Sequence, residues 1–145
     1  MNLIHRVEAT QQTIDQHFMK PFEWRAEDCA HLVWSHLDSL GIENRRAEGQ
    51  PYSNYRGAVK ALKAMGWTDM RGLLADHNFE EIAPASAIVG DILAIHSDKK
   101  SGPMKYALGV AIGDGRVLAY ADNGEAGPRC LFGPIDFATH AWRVR

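Results

Sequence analysis

Apolar residues in the first half of the chain recur at the spacing of α-helices. Over residues 2–18 this spacing predicts an amphipathic helix, and its apolar positions are Leu3, Ile4, Val7, Ile14 and Phe18. A second helix is predicted over residues 29–40, with Gly41 placed to cap its end. Residues 55–65 predict a third helix, and residues 70–74 a short fourth one. The first half is therefore expected to be helical.

The pattern changes after Pro84, where short apolar segments typical of β-strands follow one another. The three clearest segments are residues 90–95, 106–113 and 116–121. Asp114 and Gly115 lie between the last two and are a strong signal for a tight hairpin turn. Residues 129–132 and 140–145 are candidates for edge strands. Helices followed by antiparallel strands predict an α+β fold.

Length and composition fit one globular domain that spans residues 1–145. Its helical part is expected over about residues 1–80, and its sheet part over about residues 88–145. Hydrophobic residues make up 46% of the chain and charged residues 23%, which is the balance of a folded protein. The net charge of −2, without any cluster of Lys and Arg, argues against nucleic acid as a partner.

The sequence has no feature that predicts a membrane span or an export signal. No apolar run approaches the roughly 20 residues that a membrane helix needs, and Glu8 comes early at the amino terminus. We therefore expect synthesis in a reducing bacterial cytoplasm, which leaves later assembly into an exported particle open. A domain of this size does not need a disulfide, so Cys29 and Cys130 are expected to stay reduced.

The sharpest chemical feature is the pair Asp28–Cys29 at the start of the second predicted helix. Asp28 can accept hydrogen bonds from free N–H groups of the first turn. The same N–H groups and the helix dipole favour a thiolate at Cys29, so a lowered pKa and a reactive thiol are expected. The alternative is a small apolar side chain that fills the core, as free cysteines commonly do. Local sequence alone favours this alternative.

Three segments, "EWRAEDCAHLV", "GDILAI" and "ALGVAIGDGRVLAYA", resemble in order and spacing the core of the NlpC-type cell-wall cysteine peptidases. The resemblance implies a papain-like fold, in which an Asp-Cys pair opens the central helix and a Gly-Asp pair opens the first core strand. More closely, "PFEW", "DCA", "GD" and "AWRV" resemble a group of small phage and prophage proteins encoded among tail genes. This likeness, over about residues 18–145, implies tail or baseplate proteins as partners and a place in the virion tail.

The chain departs from the peptidase pattern at two of its three catalytic positions. A cysteine peptidase needs an imidazole that takes the thiol proton, and a third polar group that orients this imidazole. The resemblance puts the base at Ala107 and the orienting group at or near Ala119. A methyl group can do neither, so Cys29 alone remains as a candidate nucleophile.

Another histidine would have to supply the base. His31, two residues after the cysteine, is expected to point away from the thiol, and His36 lies about 10 Å along the helix axis. His96 ends the first core strand beside the start of the next one, and it is the candidate replacement base. The alternative for this residue is an exposed histidine that leads into a polar loop. No positional argument favours His77 or His140.

Other residues are expected to support the fold. Asp91 after Gly90 is expected to serve the turn into the first core strand. Gly109, among apolar neighbours, indicates a close backbone approach, with the second helix as the candidate neighbour. Trp24 and Trp142 are expected to be packing residues. No metal-binding or nucleotide-binding motif occurs, so we propose no metal and no cofactor.

Together these observations predict a papain-like domain without a full catalytic set, which acts by docking to other phage tail proteins. One alternative is an active peptidase that opens peptidoglycan stem peptides during genome entry, with Cys29 as nucleophile and His96, or a partner's histidine, as base. Another is a cell-wall-binding domain that recognises the peptide without cutting it. An enzyme must leave Cys29 open to a cleft, whereas a structural protein can bury it.

Overall fold

The computed structural model describes residues 1–145, which form helices in the first half and one antiparallel sheet in the second. The helices are α1 (Leu3–His17), α2 (Cys29–Ser39), α3 (Tyr55–Ala64) and α4 (Gly72–Ala75). The strands are β1 (Glu80–Ile82), β2 (Ile92–His96), β3 (Tyr106–Gly113), β4 (Arg116–Ala121), β5 (Arg129–Pro134) and β6 (Ala138–Arg143). The predicted α+β fold is confirmed.

The six strands lie in the order β1-β6-β2-β3-β4-β5, and every neighbouring pair is antiparallel. The three predicted core strands are present at the centre of this order as β2, β3 and β4. The predicted hairpin joins the last two, and Asp114 and Gly115 adopt φ values of 55° and 69°. Two consecutive residues at positive φ form a turn whose twist matches that of the flanking strands.

β6 is an interior strand, which corrects the expectation that residues 140–145 form an edge. It pairs with β2 on one side and with β1 on the other, so that Ala141 lies opposite both Leu93 and Ile82. The sequence could not show this arrangement, because β1 has only three residues and apolar and polar residues do not alternate along them. The strand that encloses β6 is therefore not visible in the apolar pattern.

α2 lies across one face of the sheet and supplies much of the core. Its buried apolar side chains join clusters that also hold residues of β2, β3 and β4, and they are Ala30, Leu32, Val33, Trp34 and Leu37. Fully burying one such side chain stabilises the fold by about 1.5–3 kcal/mol. The helix begins where Asp28 accepts a hydrogen bond from the backbone N–H of His31 at 3.0 Å. It ends before Gly41, whose φ of 77° favours glycine.

α1 buries its polar face, which corrects the predicted orientation of this amphipathic helix. The buried residues are Arg6, Ala9, Thr10, Thr13 and His17. Leu3, Ile4 and Val7 are instead exposed by 62%, 69% and 48%. The physical reason is that the polar face finds partners inside the protein. Thr13, for example, shares a 2.8 Å hydrogen bond with Nδ1 of the buried His36 on α2.

Asp91 attaches α1 to the sheet through a buried ionic cluster. Its carboxylate is fully buried and pairs with the guanidinium groups of Arg6 and Arg143, the latter at 2.9 Å. It also accepts hydrogen bonds from the backbone N–H groups of Val144 at 3.1 Å and Ile88 at 2.9 Å. The bond to Ile88 closes the turn before β2, so Asp91 serves that turn and also binds α1 and the end of the chain.

Gly109 approaches β4 closely, whereas the sequence pointed to α2 as the candidate neighbour. A Cβ atom on Gly109 would lie 2.7 Å from Val117 Cγ2 and 2.8 Å from the carbonyl oxygen of Leu118. Contacts of this length do not occur between such atoms, so any side chain at this position would push β3 and β4 apart. The glycine is required by the spacing of the two strands.

We expect Asp91→Asn to lower the free energy of unfolding by about 3–5 kcal/mol, because it leaves Arg6 and Arg143 without their shared buried carboxylate. Urea unfolding followed by circular dichroism measures this loss. The matched control is Glu80→Gln, which breaks an exposed ion pair with Arg145 and should cost less than about 1 kcal/mol. Equal losses in the two variants would contradict the role assigned to Asp91.

Candidate active-site cleft

A cleft of about 480 Å³ opens beside the first turn of α2. Its wall includes four of the residues that the sequence singles out: Asp28, Cys29, His96 and Ala107. Aromatic side chains form much of the remaining wall, from Phe22, Trp24, Tyr55, Tyr106 and Tyr120. Charged side chains also line it, from Asp98, Lys99 and Asp122. The fold therefore brings the cysteine and its candidate base to one open site.

Cys29 is the first residue of α2, and as a residue it is half-buried. Burial, and after it the neighbouring carboxylate of Asp28, raises the pKa of Cys29 to about 12. Backbone groups of Leu108 and Ala30 act to lower this pKa, but they do not outweigh the other two causes. A helix terminus typically contributes about 0.3–1 kcal/mol, which is less than one pKa unit. The expectation of a lowered thiol pKa is therefore wrong.

Asp28 orders the cleft wall next to the thiol. One of its carboxylate oxygens accepts from the backbone N–H of His31 at 3.0 Å and lies 2.8 Å from Nδ1 of that ring. The other accepts from the backbone N–H of Arg25 at 2.8 Å and from the hydroxyl of Tyr52. Burial acts to raise the pKa of Asp28, but the hydrogen bonds from His31 and Tyr52 outweigh it and lower the pKa. A fixed negative charge therefore lies beside Cys29 and opposes a thiolate.

His96 is the only one of the seven histidines in the cleft wall. Its exposed ring stacks on that of Tyr106, with the ring centroids 5.6 Å apart, and it makes no hydrogen bond to the Cys29 sulfur. His31 turns away from the thiol toward Asp28, as expected. His36 is fully buried, and burial lowers its pKa to about 4. No imidazole is therefore in place to take the thiol proton.

Both positions where alanine replaces the expected polar groups lie on the face of the sheet that points away from α2. Ala107 borders the cleft together with Cys29, but alternation along β3 places its methyl group on the face that holds Ala111. Ala119 does not line the cleft, because its side chain packs with Leu93 in the cluster on that same face. Side chains alternate along a strand, so the next residue, Tyr120, faces the cleft, which Ala121 at the end of β4 also borders. An orienting group at position 119 would lie on the far face in this chain.

Tyr120 belongs to a polar network that the sequence analysis missed. Its hydroxyl donates to Glu27 Oε2 at 2.6 Å, and the same oxygen lies 3.0 Å from Nδ1 of His17. Burial, followed by the hydrogen bond to Glu27, raises the pKa of Tyr120 far above its ordinary value, so the phenol stays protonated. The two partners are 93 residues apart, and no local motif marks them. Alternation along β4 was the one available signal.

Most of the residues that the sequence analysis expects to support the fold lie outside the cleft. Gly90, Asp91 and Gly109 are absent from its wall and position the strands instead. The expected packing role fits Trp142, which is buried. Trp24 is half-buried and forms part of the cleft wall.

No cluster of three or more His, Cys, Asp or Glu side chains is arranged to hold a metal ion. No helix combines the length and the apolar character needed to cross a membrane. Cys29 and Cys130 are both free thiols.

Comparison of the sequence with protein families gives a match over nearly the whole chain. A sequence model of the family described as "Domain of unknown function (DUF6950)" matches residues 3–144. The chain belongs to the DUF6950 family. Among curated proteins, none matches the sequence.

The fold of this DUF6950 protein is similar to that of solved NlpC/p60 domains. The NlpC/p60 domain of the peptidoglycan hydrolase SagA is 15% identical, with a TM-score of 0.56 over 95% of this chain and 98% of that one. An NLP/P60-family protein from Staphylococcus aureus is 16% identical, with a TM-score of 0.61 over 99% of this chain and 42% of that one. An NlpC/P60-family protein from Bacillus cereus is 16% identical, with a TM-score of 0.57 over 94% and 39%.

These comparisons establish an NlpC-related fold. The DUF6950 chain spans nearly all of the SagA domain but less than half of the other two proteins. At 15–16% identity the likeness concerns the fold alone, because activity depends on the residues of the site.

We expect alkylation of Cys29 by iodoacetamide to accelerate about tenfold per pH unit from about pH 7 to pH 10, because the thiol pKa is about 12 and only the thiolate reacts. Peptide mass spectrometry measures the rate, and Cys130→Ala removes the second thiol as a control. A rate that levels off below about pH 8 would show a stabilised thiolate and contradict the raised pKa.

Proposed function

We propose that this protein is a non-hydrolytic domain with the NlpC/p60 fold, which acts by docking to other proteins in a phage or prophage tail. The observation that carries the loss of hydrolysis is the unassisted thiol of Cys29. Its pKa is raised to about 12, and no imidazole hydrogen bonds it. SagA is a peptidoglycan hydrolase, and the likeness to its domain supports the fold of this chain but not the same activity.

The chemistry of amide cleavage explains why this thiol is inadequate. A cysteine nucleophile needs either a stable thiolate or a base that takes the proton during attack. With a pKa near 12, only about one thiol in 10⁵ is ionised at pH 7. Removing a general base typically lowers the rate by a factor of about 10² to 10⁴. A site with a protonated thiol and no positioned base is therefore expected to be silent.

The exposed face of α1 supports docking as the function. Leu3 and Val7 are one helical turn apart, and Ile4 lies beside them, so the three form one apolar patch. All three are exposed, Ile4 by 69%. An apolar cluster on the surface of a folded protein is typical of an interaction site. The patch therefore offers a contact surface that does not involve the cleft.

The likeness of "PFEW", "DCA", "GD" and "AWRV" to small proteins encoded among tail genes supports the tail assignment. On this proposal the chain is made in the host cytoplasm and is then incorporated into the tail tip or baseplate of the virion. Its partners are other tail proteins, and the apolar patch on α1 is the surface we assign to them.

A second candidate function is recognition of cell-wall peptide without cleavage. The observation that favours it is the open cleft of about 480 Å³ at Cys29. Aromatic walls and the charged side chains of Asp98, Lys99 and Asp122 suit a peptide with both charges. Peptidoglycan stem peptides are the ligand that this candidate requires.

We expect purified protein to release no muropeptides from peptidoglycan, and Cys29→Ala and His96→Ala to be equally silent. The physical reason is the missing base, and chromatography of the soluble products measures the release. A hydrolase with the NlpC/p60 fold, such as the SagA domain, is the positive control. Turnover in the wild type that both variants lose would overturn the proposal and make His96 the base. Retention of muropeptides on the protein without release would favour the wall-binding candidate.

For the tail assignment, we expect Ile4→Ser, introduced into the phage that encodes the chain, to reduce the amount of this protein in purified particles at least about tenfold. The reason is that the substitution places a polar group in the centre of the docking patch. Quantitative mass spectrometry of the particles measures the amount. The matched control is Phe137→Ser. Phe137 has the same exposure of 69% but belongs to the short turn between β5 and β6, not to α1. Equal incorporation of both variants would contradict docking through α1.

A further inference from the structure

A second cavity, of about 530 Å³, is lined only by residues of the helical half of the chain. It shares Trp24, Ala30 and Met70 with the cleft, whereas Cys29 does not line it. Its walls are mainly apolar and aromatic, and they are formed chiefly by Trp24, Trp34, Tyr52, Met65, Trp67 and Met70. Large planar side chains and methionines are suited to bind a flat apolar group, which a few polar atoms then orient.

His31 is the one histidine in the wall of this cavity, and one of its ring nitrogens is already fixed. Nδ1 lies 2.8 Å from the buried carboxylate of Asp28. Asp28 is itself held by the backbone N–H of Arg25 and by the hydroxyl of Tyr52. An ionised carboxylate can only accept, so Nδ1 carries the proton, and the lone pair of the neutral ring is on Nε2. Asp28 thus sets both the rotation and the tautomer of the imidazole.

The other nitrogen of His31, Nε2, has no partner in the protein but remains accessible. The hydrogen bonds of this ring, to Asp28 and Tyr52, both involve Nδ1. The side-chain nitrogens and oxygens that are buried without a partner are Thr10 Oγ1 and Arg46 Nε, and His31 Nε2 is not one of them. The side chain as a whole keeps 17% of its surface exposed. His31 therefore presents a free acceptor of fixed direction at the cavity wall.

The other half-buried polar side chains of the wall are already engaged. Arg46 pairs with Asp38 at 2.7 Å and donates to the backbone carbonyl of His31 at 3.4 Å. The hydroxyl of Tyr52 donates to Asp28. Neither side chain offers a free group comparable to His31 Nε2. A molecule in this cavity therefore meets aromatic walls and one positioned acceptor.

We propose that this cavity binds an aromatic alcohol of the phenol type, with its ring among the Trp and Met side chains and its O–H donating to Nε2 of His31. A phenol fits both features, because it is flat and apolar apart from a single strong donor. Two sources share this chemistry, namely a small free phenol and the tyrosine side chain of a peptide. The inference goes beyond the docking function, which relies on the exposed face of α1.

The experiment compares 4-methylphenol with 4-methylanisole, in which a methyl group replaces the hydroxyl proton. We expect 4-methylphenol to bind with a Kd of roughly millimolar size, and the ether to bind about fivefold more weakly, because it has no donor for Nε2. NMR titration of the indole N–H signals measures both affinities, since Trp24, Trp34 and Trp67 line the cavity. The Nε2 signal of His31 should shift with 4-methylphenol and stay in place with the ether.

A glycyl-tyrosyl-glycine peptide with both ends blocked distinguishes the two sources of the phenol. Tighter binding by this peptide than by 4-methylphenol would identify a tyrosine side chain as the ligand. Weaker binding by the peptide would identify a small free phenol. Both outcomes keep the assigned contact with His31, which the shift of its Nε2 signal checks in each titration.

His31→Asn separates the two roles of the ring. The asparagine amide can still donate to Asp28, but it has no acceptor at the position of Nε2. Affinity for 4-methylphenol should therefore fall about fivefold, to that of the ether. The matched control is His77→Asn, because His77 stacks on Phe79 with the ring centroids 5.0 Å apart and lines neither cavity. This control should bind 4-methylphenol within about twofold of the wild type.

Three results would each overturn the proposal. These are no binding of 4-methylphenol, equal affinities for 4-methylphenol and its ether, or an unchanged affinity in His31→Asn. The comparison of the two probes needs only the wild type, so it decides the matter even if His31→Asn fails to fold. Failure of this proposal would leave docking through α1 untouched, because no residue of α1 lines the cavity.

Discussion

The buried carboxylate of Asp91 determines how several segments of the molecule are placed against one another. A charge in a protein core is tolerated only where it is paired and hydrogen-bonded. Asp91 obtains its partners from α1, from the turn before β2 and from the end of the chain, through Arg6, Ile88, Arg143 and Val144. α1 must therefore turn Arg6 inward, and the rest of its polar face follows. The apolar residues on the opposite face are left in solvent for this reason.

The amino-terminal end of α2 is well formed as a helix start, but it lacks the base that a cysteine nucleophile needs. Asp28 is a good cap for the helix, because its carboxylate accepts hydrogen bonds from the free N–H groups. The same negative charge raises the pKa of Cys29. In a complete cysteine site an imidazolium would offset that charge, but position 107 carries only a methyl group and no imidazole hydrogen bonds this thiol. The requirements of helix stability and of a reactive thiol therefore conflict here.

Local signals in the sequence predicted the elements well, because each depends on neighbouring residues. Asn2, Asp28 and Asn54 each accept a hydrogen bond from the N–H three residues later and begin the first three helices. The Asp114–Gly115 hairpin is likewise a local matter. What could not be predicted depends on distant partners. The orientation of α1 follows from Asp91, and the interior place of β6 follows from β1.

The same distinction applies to the candidate site. That Cys29, His96 and Ala107 share a cleft follows from strand order, which the resemblance implied. The raised pKa of the thiol follows from burial, which no local pattern reveals. Ala119 and Tyr120 could have been distinguished by alternation along β4, but only once the buried face of that strand was known.

Trp24 lines both the cleft at Cys29 and a second cavity of about 530 Å³. Its ring meets Phe22 edge-on, with centroids 4.8 Å apart, and meets Tyr52 at 6.2 Å. A ligand that displaces this indole in one cavity would therefore change the shape of the other. Thermodynamic reciprocity then requires each guest to change the affinity of the second by the same factor. Occupation of one cavity would in this way be sensed at the other without any chemical step.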